Sequence, residues 1–469
     1  MNLQALIDGQ PEAIFGIGYM NPTEVGVLCM GLLLVLVILG VRVVFAAGIV
    51  GLVGLVELIG WHGAASAVGQ IPYSKSVSFV LGLLPMFILI GYLAFHAGMT
   101  RQLFAAARAW IGWVPGGLAV ASVFAAAGFA AVSGASVATA AVFSRVAIPE
   151  MLEAGYNKRL AAGVVAAAGT LASLIPPSTI LVIYAVIVEE SVGALLLAGF
   201  LPGIFSAVVY AGIIVVWSMM NPDAGPPVRG VTWGERFRSL PGLFPIFAVV
   251  VIIVSAVYGG WATPTEAGAL GAFVVLVVAW INGMRWPSLR AALMETSKLV
   301  VMIFSLIWGV LIFGRFLGFS GLPEAFANWI LGFDADPYLI LGGILMGYVV
   351  LGMFMDAIGL LLLTLPVVYP AVMALNGGPD VTAADSAFGL SGGQASVWFG
   401  IIVVKMAEVC LITPPIGLNC FVVNGVRPDI PLTDVFKGIF LFFIADALTI
   451  LLLILFPQII TWLPDLMFS

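Results

Sequence analysis

Charged residues are scarce in this chain of 469 residues, since only 9% are Asp, Glu, Lys or Arg while 62% are hydrophobic. Soluble domains carry about 25% charged residues, so the composition excludes a soluble globular protein and indicates an all-α polytopic membrane protein. The three cysteines all lie in apolar segments, which predicts small buried side chains and no disulfide framework. Gly and Pro, at 55 and 27, are by contrast abundant, as expected for membrane helices that pack closely or are broken.

Enzyme signatures are missing as well. The two histidines, His62 and His96, lack metal-ligand spacing, and there is neither an HExxH motif nor a Gly-rich phosphate loop followed by Lys-Ser or Lys-Thr. We therefore expect no cofactor and no ATP hydrolysis by this chain. Any energy-requiring step would have to be driven by an ion gradient or by a partner.

Apolar runs of membrane length predict about ten transmembrane helices. They lie near 24–41, 43–60, 78–98, 160–187, 195–218, 242–258, 266–284, 298–318, 398–425 and 435–456. Two further stretches, 113–150 and 338–374, are either full spans or re-entrant hairpins. The kinks at 133–136 and 353–357 would be the tips of those hairpins.

The placement of positive charge favours two re-entrant hairpins. If both stretches are hairpins, one side of the membrane holds only Lys75 of the 17 Lys and Arg residues. Three more, Arg145, Arg315 and Lys405, lie within membrane segments, and all the others lie on the opposite side. Lys and Arg gather in cytoplasmic loops, so both termini are predicted to be extracytoplasmic. An odd number of spans separates the hairpins, which predicts two halves of opposite orientation, that is, an inverted repeat.

The predicted organisation follows from this count. An extracytoplasmic N-terminus at 1–23, without the features of a cleavable signal peptide, precedes a first repeat at 24–218 whose broken helix is 160–187. A cytoplasmic linker at 219–241 leads to a second repeat at 242–469, with its broken helix at 398–425. The motif Pro-Thr-Glu recurs at Pro22 and Pro264, where Thr23 and Thr265 are predicted to be N-caps, each with a Glu in the first turn.

Pro-Pro pairs interrupt both broken helices, at Pro176-Pro177 and Pro414-Pro415. A proline removes a helical hydrogen bond, and in lipid such a break survives only where protein or a water-filled cavity satisfies the backbone. Matched interruptions in two halves point to the binding site of a secondary transporter. The candidate Na⁺ and substrate site comprises Ser133, Gly134 and Ser136 facing Thr170, Pro176 and Ser178 in the first half, and Asp356 facing Thr413, Pro414, Gly417 and Asn419 in the second.

Small and hydroxyl residues also let membrane helices pack closely, which is the alternative reading of these positions. Their paired occurrence at a tip and a break in both halves favours a site. Na⁺ itself is placed at Ser133, Gly134, Asp356 and Thr413. The carboxylate of Asp356 is the sharpest candidate, because an ionisable group in apolar surroundings is a functional-site hypothesis by default.

Other charged residues in membrane segments have simpler interpretations. Lys405 and Glu408, three residues apart on one helix face, are predicted to form a structural pair. The Lys405–Glu408 pair is not assigned to ion coupling. Arg315, near the end of a span, and Arg145, in the second limb of the first hairpin, either attract an anionic substrate or extend to the membrane interface, and Glu150 is a possible partner of Arg145.

Several motifs resemble the large membrane subunit of TRAP transporters, tripartite ATP-independent periplasmic transporters of the ion transporter superfamily. The likeness runs from about residue 20 to 460 and is carried by Gly134-Ala135-Ser136, Ile148-Pro149-Glu150-Met151, Ile175-Pro176-Pro177-Ser178, Gly352-Met353-Phe354-Met355-Asp356 and the stretch 412–419. The resemblance implies a Na⁺-coupled symport subunit of a bacterial cytoplasmic (inner) membrane importer of organic anions, usually carboxylates. It also implies two partners, a small four-helix membrane subunit and an extracytoplasmic substrate-binding protein, with membrane lipid around the chain and no nucleic acid.

The same resemblance implies elevator-type alternating access, in which the hairpins and broken helices form a transport domain that moves against a scaffold. Two features depart from the pattern: Arg42 stands where a Pro is expected after the first span, and the polar insertion at 376–394 is long. A stand-alone Na⁺/carboxylate symporter has a similar architecture and remains the main alternative. An intramembrane enzyme using Asp356 or Glu408, or a passive channel, fits the matched breaks less well.

Overall fold

The computed structural model describes residues 20–77, 79–228 and 230–468, and this part of the chain is helical without any β-strand. The all-helical class predicted from composition is confirmed. Residues 1–19 of the predicted N-terminal segment and Arg229 of the predicted linker lie outside the described residues.

Twenty α-helices occur in the described part of the chain. They are α1 Pro22–Ile38, α2 Val43–Ser76, α3 Leu83–His96, α4 Met99–Ile111, α5 Gly117–Ser133, α6 Ser136–Glu153, α7 Lys158–Thr170, α8 Thr179–Val188, α9 Val192–Met220, α10 Trp233–Ser239, α11 Phe244–Tyr258, α12 Pro264–Ile281, α13 Trp286–Ser320, α14 Leu322–Leu331, α15 Pro337–Gly352, α16 Ala357–Leu375, α17 Gly392–Cys410, α18 Leu418–Val426, α19 Leu432–Leu455 and α20 Gln458–Phe468.

Among the described residues, seven helices are long and apolar enough to cross a membrane, or up to nine if each of two bent pairs is counted as one span. The bent pairs are α3 with α4, at 70°, and Trp233–Gly242 with α11, at 47°. The helix α16, which the charge argument assigns to a hairpin, is itself long and apolar enough. Its re-entrant course therefore stays a prediction that depends on charge placement.

The second predicted span, 43–60, ends at a kink at Gly60, whose φ of 72° permits a change of direction, and helix resumes beyond it to Ser76. One local expectation was wrong. The predicted N-caps Thr23 and Thr265 are displaced by two residues, because the caps are Asn21 and Thr263 and the proline takes the first helical position. Proline suits that position, since its missing N–H has no helical partner there.

The chain divides into two compact units, one formed by residues up to Leu81 with Val300–Ser396, the other by Gly82–Leu299 with Val397–Ser469. In the first unit α1 packs on α2, and α14 packs on α16. A Cβ placed on Gly51 would lie 2.7 Å from the Cα of Phe313, so α2 and α13 approach closely there. The insertion at 376–394 is tied down in this unit by Asn376, whose Nδ2 donates to Leu390 O at 3.0 Å.

In the second unit α7 is the central helix, buried continuously from Leu160 to Thr170. It packs on α6 and crosses α19, where a Cβ on Gly163 would clash with the backbone of Gly438. Small residues at this crossing allow the two backbones to touch, as is common in membrane helix pairs. The Ala- and Gly-rich composition of α7 therefore places the break that follows it deep inside this unit.

The order of elements is the same in the two halves of the sequence. A helix–turn–helix pair comes first, α5 with α6 and later α15 with α16, and a helix broken at a Pro-Pro pair follows, α7 with α8 and later α17 with α18. The opposite orientation of the halves stays a prediction. Of these four elements, α15–α16 belongs to the first unit, and the other three belong to the second apart from the first turn of α17.

Candidate functional site

The turn between α5 and α6 is built on Gly134. Its φ of 58° and ψ of 12° place it in the left-handed region, and Ala135 then extends the chain before α6 begins. Few residues other than glycine adopt such angles without strain. The hydroxyls of Ser133 and Thr139 lie 3.2 Å apart across the turn, so both ends of the tip present buried hydroxyl oxygens.

The break between α7 and α8 follows from the missing N–H groups of Pro176 and Pro177. Neither can donate to the carbonyl four residues earlier, so the helix stops in a single 3₁₀ turn, Leu171–Ser173. The carbonyl of Ser173 accepts instead from the hydroxyl of Ser178. Ser178 also caps α8, accepting from Leu181 N at 3.3 Å, so one side chain closes the break and starts the next helix.

The tip and this break are in direct contact within the second unit. Thr179 Oγ1 donates to the carbonyl of Gly134 at 3.0 Å, and the hydroxyls of Ser136 and Ser173 lie 2.6 Å apart. A Cβ on Gly134 would clash with the carbonyl oxygen of Pro177. The facing arrangement predicted for the first half is therefore present as a set of short polar contacts.

Most of the predicted first-half residues gather at this contact. Ser133, Gly134, Ser136 and Ser178 are there and buried, and Pro176 stands in the break itself. Thr170 lies at the end of α7, where its hydroxyl donates to Ala167 O at 2.8 Å within its own helix.

Sequence reasoning missed three hydroxyl residues of this contact, Thr139, Ser173 and Thr179. All three are buried. Each lies within one helical turn of the kink or of the Pro-Pro pair. That spacing was a usable signal, since hydroxyls so close to a break can bond its free backbone groups.

The second break, between α17 and α18, is closed differently. Thr413 Oγ1 donates back to Val409 O at 2.7 Å, and Asn419 N donates to Leu411 O at 2.9 Å across the break. Gly417 caps α18 with a φ of 42°. Pro414 is exposed, whereas Thr413, Gly417 and Asn419 are buried.

Asn419 connects the second break to the first. Its Nδ2 donates to the carbonyl of Ala166 on α7 at 3.1 Å, one helical turn before Thr170. Its Oδ1 is buried and has no hydrogen-bond partner among the described residues. A buried amide oxygen without a donor is uncommon, and a hard cation is one species that would satisfy it.

Asp356 lies at the turn between α15 and α16, at the position predicted from the sequence. It caps α16, with its carboxylate accepting from Gly359 N at 3.1 Å, and it is half-buried. It belongs to the first unit, while Thr413, Pro414, Gly417 and Asn419 belong to the second. The predicted facing of Asp356 and these residues, and a Na⁺ ligand set that includes Asp356, therefore stay predictions.

The buried charges form a larger group than the sequence suggested. Lys405 Nζ lies 2.7 Å from Glu408 Oε2, which is the predicted pair, and also 2.8 Å from Asp446 Oδ1 on α19. Tyr210 of α9 donates to that same Asp446 oxygen at 2.6 Å. Sequence reasoning missed Asp446 and Tyr210, because contacts between distant helices leave no local pattern.

The expected partnership of Arg145 with Glu150 was wrong. Glu150 Oε2 instead accepts from Arg108 of α4 at 2.6 Å. The helix α4 packs on α5 and reaches α6, which brings Arg108 to the C-terminal part of α6. This pair is partly exposed, so it contributes little to stability.

The family description "Tripartite ATP-independent periplasmic transporter, DctM component" matches residues 30–459 of the chain. The chain belongs to this family. A C4-dicarboxylate TRAP transporter large permease protein, DctM of Pseudomonas aeruginosa, is 33% identical over 398 residues, covering 84% of this chain and 86% of the relative. An ectoine TRAP transporter large permease protein, TeaC of Halomonas elongata, is 30% identical over 387 residues, covering 82% of this chain and 86% of the relative.

Among solved structures, the YdaH transporter of Alcanivorax borkumensis superposes on this TRAP permease with a TM-score of 0.56. The match covers 95% of this chain and all of that one at 13% sequence identity, so it shows a shared fold and nothing more. The relatives are transporter permeases, so the chain is a multi-pass membrane transport protein and not an enzyme. The suspected family is thus confirmed, and the intramembrane enzyme is excluded.

Proposed function

We propose that this chain is the permease subunit of a Na⁺-coupled importer of an organic anion, most consistently a carboxylate. An extracytoplasmic substrate-binding protein delivers the substrate, and a small four-helix membrane subunit completes the complex. The observation that carries the proposal is the oxygen-rich contact between the tip and the first break.

The chemistry of that contact suits Na⁺. The oxygens it offers to a cation are neutral, namely the Gly134 carbonyl and the hydroxyls of Ser136 and Ser173. Hard monovalent cations bind such oxygens, and unwound backbone carbonyls bind Na⁺ in other secondary transporters. Of the predicted Na⁺ residues, Ser133, Gly134 and Thr413 lie in this unit, whereas Asp356 belongs to the other one.

An anionic substrate is supported by the helix ends at the tip and at the two breaks. The helices α6, α8 and α18 all begin at the tip or at one of the two breaks. Helix N-termini carry unpaired N–H groups and a partial positive charge, which favour a carboxylate. The C4-dicarboxylate relative points the same way, while the ectoine relative indicates that members of one family differ in substrate.

Location and motion follow the same proposal. The chain would lie in the bacterial cytoplasmic (inner) membrane with both termini extracytoplasmic, and alternating access would be of the elevator type. The stand-alone Na⁺/carboxylate symporter remains the competing scheme, and the need for a binding protein separates the two.

The ion is tested first, because that measurement requires no knowledge of the substrate. The purified permease with its small partner is unfolded thermally in NaCl and in KCl at equal ionic strength. A ligand that binds only the folded state stabilises it by about 2.7 kcal/mol at 100 times its dissociation constant, so a saturable, Na⁺-specific rise in the midpoint is expected. Equal midpoints in the two salts would contradict Na⁺ binding in the absence of substrate.

The transport scheme is tested in proteoliposomes. Uptake of labelled C4-dicarboxylates is measured with and without the cognate binding protein, under an inward Na⁺ or K⁺ gradient. The proposal expects uptake only with both the binding protein and the Na⁺ gradient. Uptake that needs Na⁺ but no binding protein would establish the stand-alone symporter instead.

A further inference from the structure

Four titratable side chains form one buried group in the second unit, apart from the tip and the breaks. They are Lys405 and Glu408 of α17, Tyr210 of α9 and Asp446 of α19, and each is completely buried. Lys405 Nζ lies between the two carboxyls, 2.7 Å from Glu408 and 2.8 Å from Asp446, and 5.4 Å from the Tyr210 ring centroid. The titratable groups acting on these carboxyls are Lys405, Tyr210 and each other.

The charges of this group do not balance if both carboxyls are ionised. One ammonium faces two carboxylates, which leaves one negative charge fully buried among apolar helices. An isolated charge in such surroundings costs far more than a neutral polar group, so buried acids take up a proton or a cation instead. Each carboxyl also has one oxygen, Glu408 Oε1 and Asp446 Oδ2, without a hydrogen-bond partner among the residues described.

The geometry favours a proton over a metal ion, and Glu408 over Asp446. A Na⁺ or a larger ion needs several converging oxygens, whereas the unpartnered oxygens of this group are two, and no cluster of three His, Cys, Asp or Glu side chains suited to a metal occurs in the described chain. Asp446 Oδ1 accepts from two donors, Lys405 and Tyr210, while Glu408 accepts from Lys405 alone. Hydrogen bonds to a carboxylate favour its charged form, so Asp446, with two donors, keeps its charge.

We infer that Glu408 is a proton-binding site: its carboxyl holds one proton, and Lys405, Asp446 and Tyr210 form a neutral ion-paired group around it. The ligand is H⁺ and the site is separate from the Na⁺ and anion site proposed above. Glu408 lies two residues before the end of α17 at Cys410, so the protonated residue stands close to the second break.

Infrared spectroscopy tests the site directly in the intact permease. The protein, in a detergent without ester groups, is labelled with ¹³C at the Glu carboxyls and compared with unlabelled protein near neutral pH. A protonated Glu gives a C=O stretching band that shifts with the label, whereas a protonated Asp does not. The shifted band is expected in the wild type and is expected to disappear in Glu408→Gln. It should also be lost in Asp446→Asn, where Glu408 would ionise as the one remaining carboxyl beside Lys405.

Glu57 provides the matched control, because both of its carboxyl oxygens are buried without a partner in the described structure. The band assigned to Glu408 must persist in Glu57→Gln, so this variant tests the inference even if Glu408→Gln does not fold. Absence of any Glu band in Glu57→Gln would overturn the inference. Loss of the band in Glu57→Gln with its retention in Glu408→Gln would do the same.

Thermal stability gives an independent readout. Glutamine resembles a protonated glutamate, so Glu408→Gln should unfold at nearly the wild-type midpoint. Asp446→Asn forces Glu408 to ionise beside Lys405 and removes the charged acceptor of Tyr210, so it should lower the midpoint. The reverse order, with Asn tolerated at 446 and Gln destabilising at 408, would move the proton to Asp446 and refute the assignment.

Discussion

Substitution of Gly134 by Ala tests the contact on which the candidate site depends. A residue with a side chain loses about 1–2 kcal/mol when held in the left-handed region, and Gly134 has a φ of 58°. The new Cβ would also clash with the carbonyl oxygen of Pro177. Overpacking of this kind costs about 1–3 kcal/mol, so the expected loss is about 2–5 kcal/mol in the free energy of unfolding.

A second glycine separates the two contributions. Gly283, after α12, has a φ of 84°, but no atom lies within 4 Å of a Cβ built there. Its substitution by Ala should therefore show only the backbone cost, about 1–2 kcal/mol. The two variants and the wild type are compared by denaturant or thermal unfolding in one detergent, and by Na⁺-driven uptake in proteoliposomes.

The steric argument requires that Gly134→Ala lowers the free energy of unfolding more than Gly283→Ala does. Uptake should also fall in this variant, because the carbonyl that Thr179 holds at 3.0 Å would be displaced, and it should be kept in Gly283→Ala. Equal destabilisation of the two variants, with uptake unchanged in both, would refute the close contact between the tip and the first break.

Three further substitutions are informative. Lys405→Met leaves two buried carboxyls without their cation and should cost about 3–5 kcal/mol in unfolding free energy, as found when one partner of a buried pair is removed. The control Lys437→Met, at an exposed position, should be nearly neutral. Equal effects of the two substitutions would contradict the buried pair. Asn419→Ala deletes an additional donor to Ala166 O, which is also a helical acceptor within α7. It should cost about 0.5–1.5 kcal/mol, the net contribution of one hydrogen bond, with an unchanged unfolding midpoint arguing against the contact. Asp356→Asn keeps an N-cap oxygen but removes the charge, so membrane insertion and stability should be retained while the Na⁺ dependence of uptake weakens; unchanged Na⁺ dependence would exclude a role for the carboxylate.

Composition and proline placement predicted most of the architecture. A chain with so few charges has to bury its backbone in helices, and a Pro-Pro pair has to interrupt them. The turn at Gly134 and both breaks were therefore readable from local sequence alone. The continuation of α2 beyond Gly60 was not, because a single glycine marks either the end of a helix or a kink within it.

The candidate site was predicted where its members are neighbours in sequence and missed where they are not. Ser133, Gly134 and Ser136 stand together at one kink. The Asn419–Ala166 and Lys405–Asp446 contacts, by contrast, join helices far apart in the chain. Their partners depend on how helices cross, and a single sequence contains no direct record of that.

The hydrogen bond from Asn419 to Ala166 has a thermodynamic consequence. A side chain at the start of α18 holds the helix that ends at the first break, so a displacement at either break is felt at the other. If an ion orders one break and an anion orders the other, each lowers the dissociation constant of the second by the same factor, because linkage is reciprocal. The factor by which the anion lowers the dissociation constant of the ion would thus equal the factor by which the ion lowers that of the anion. Asn419→Ala would bring both factors towards one.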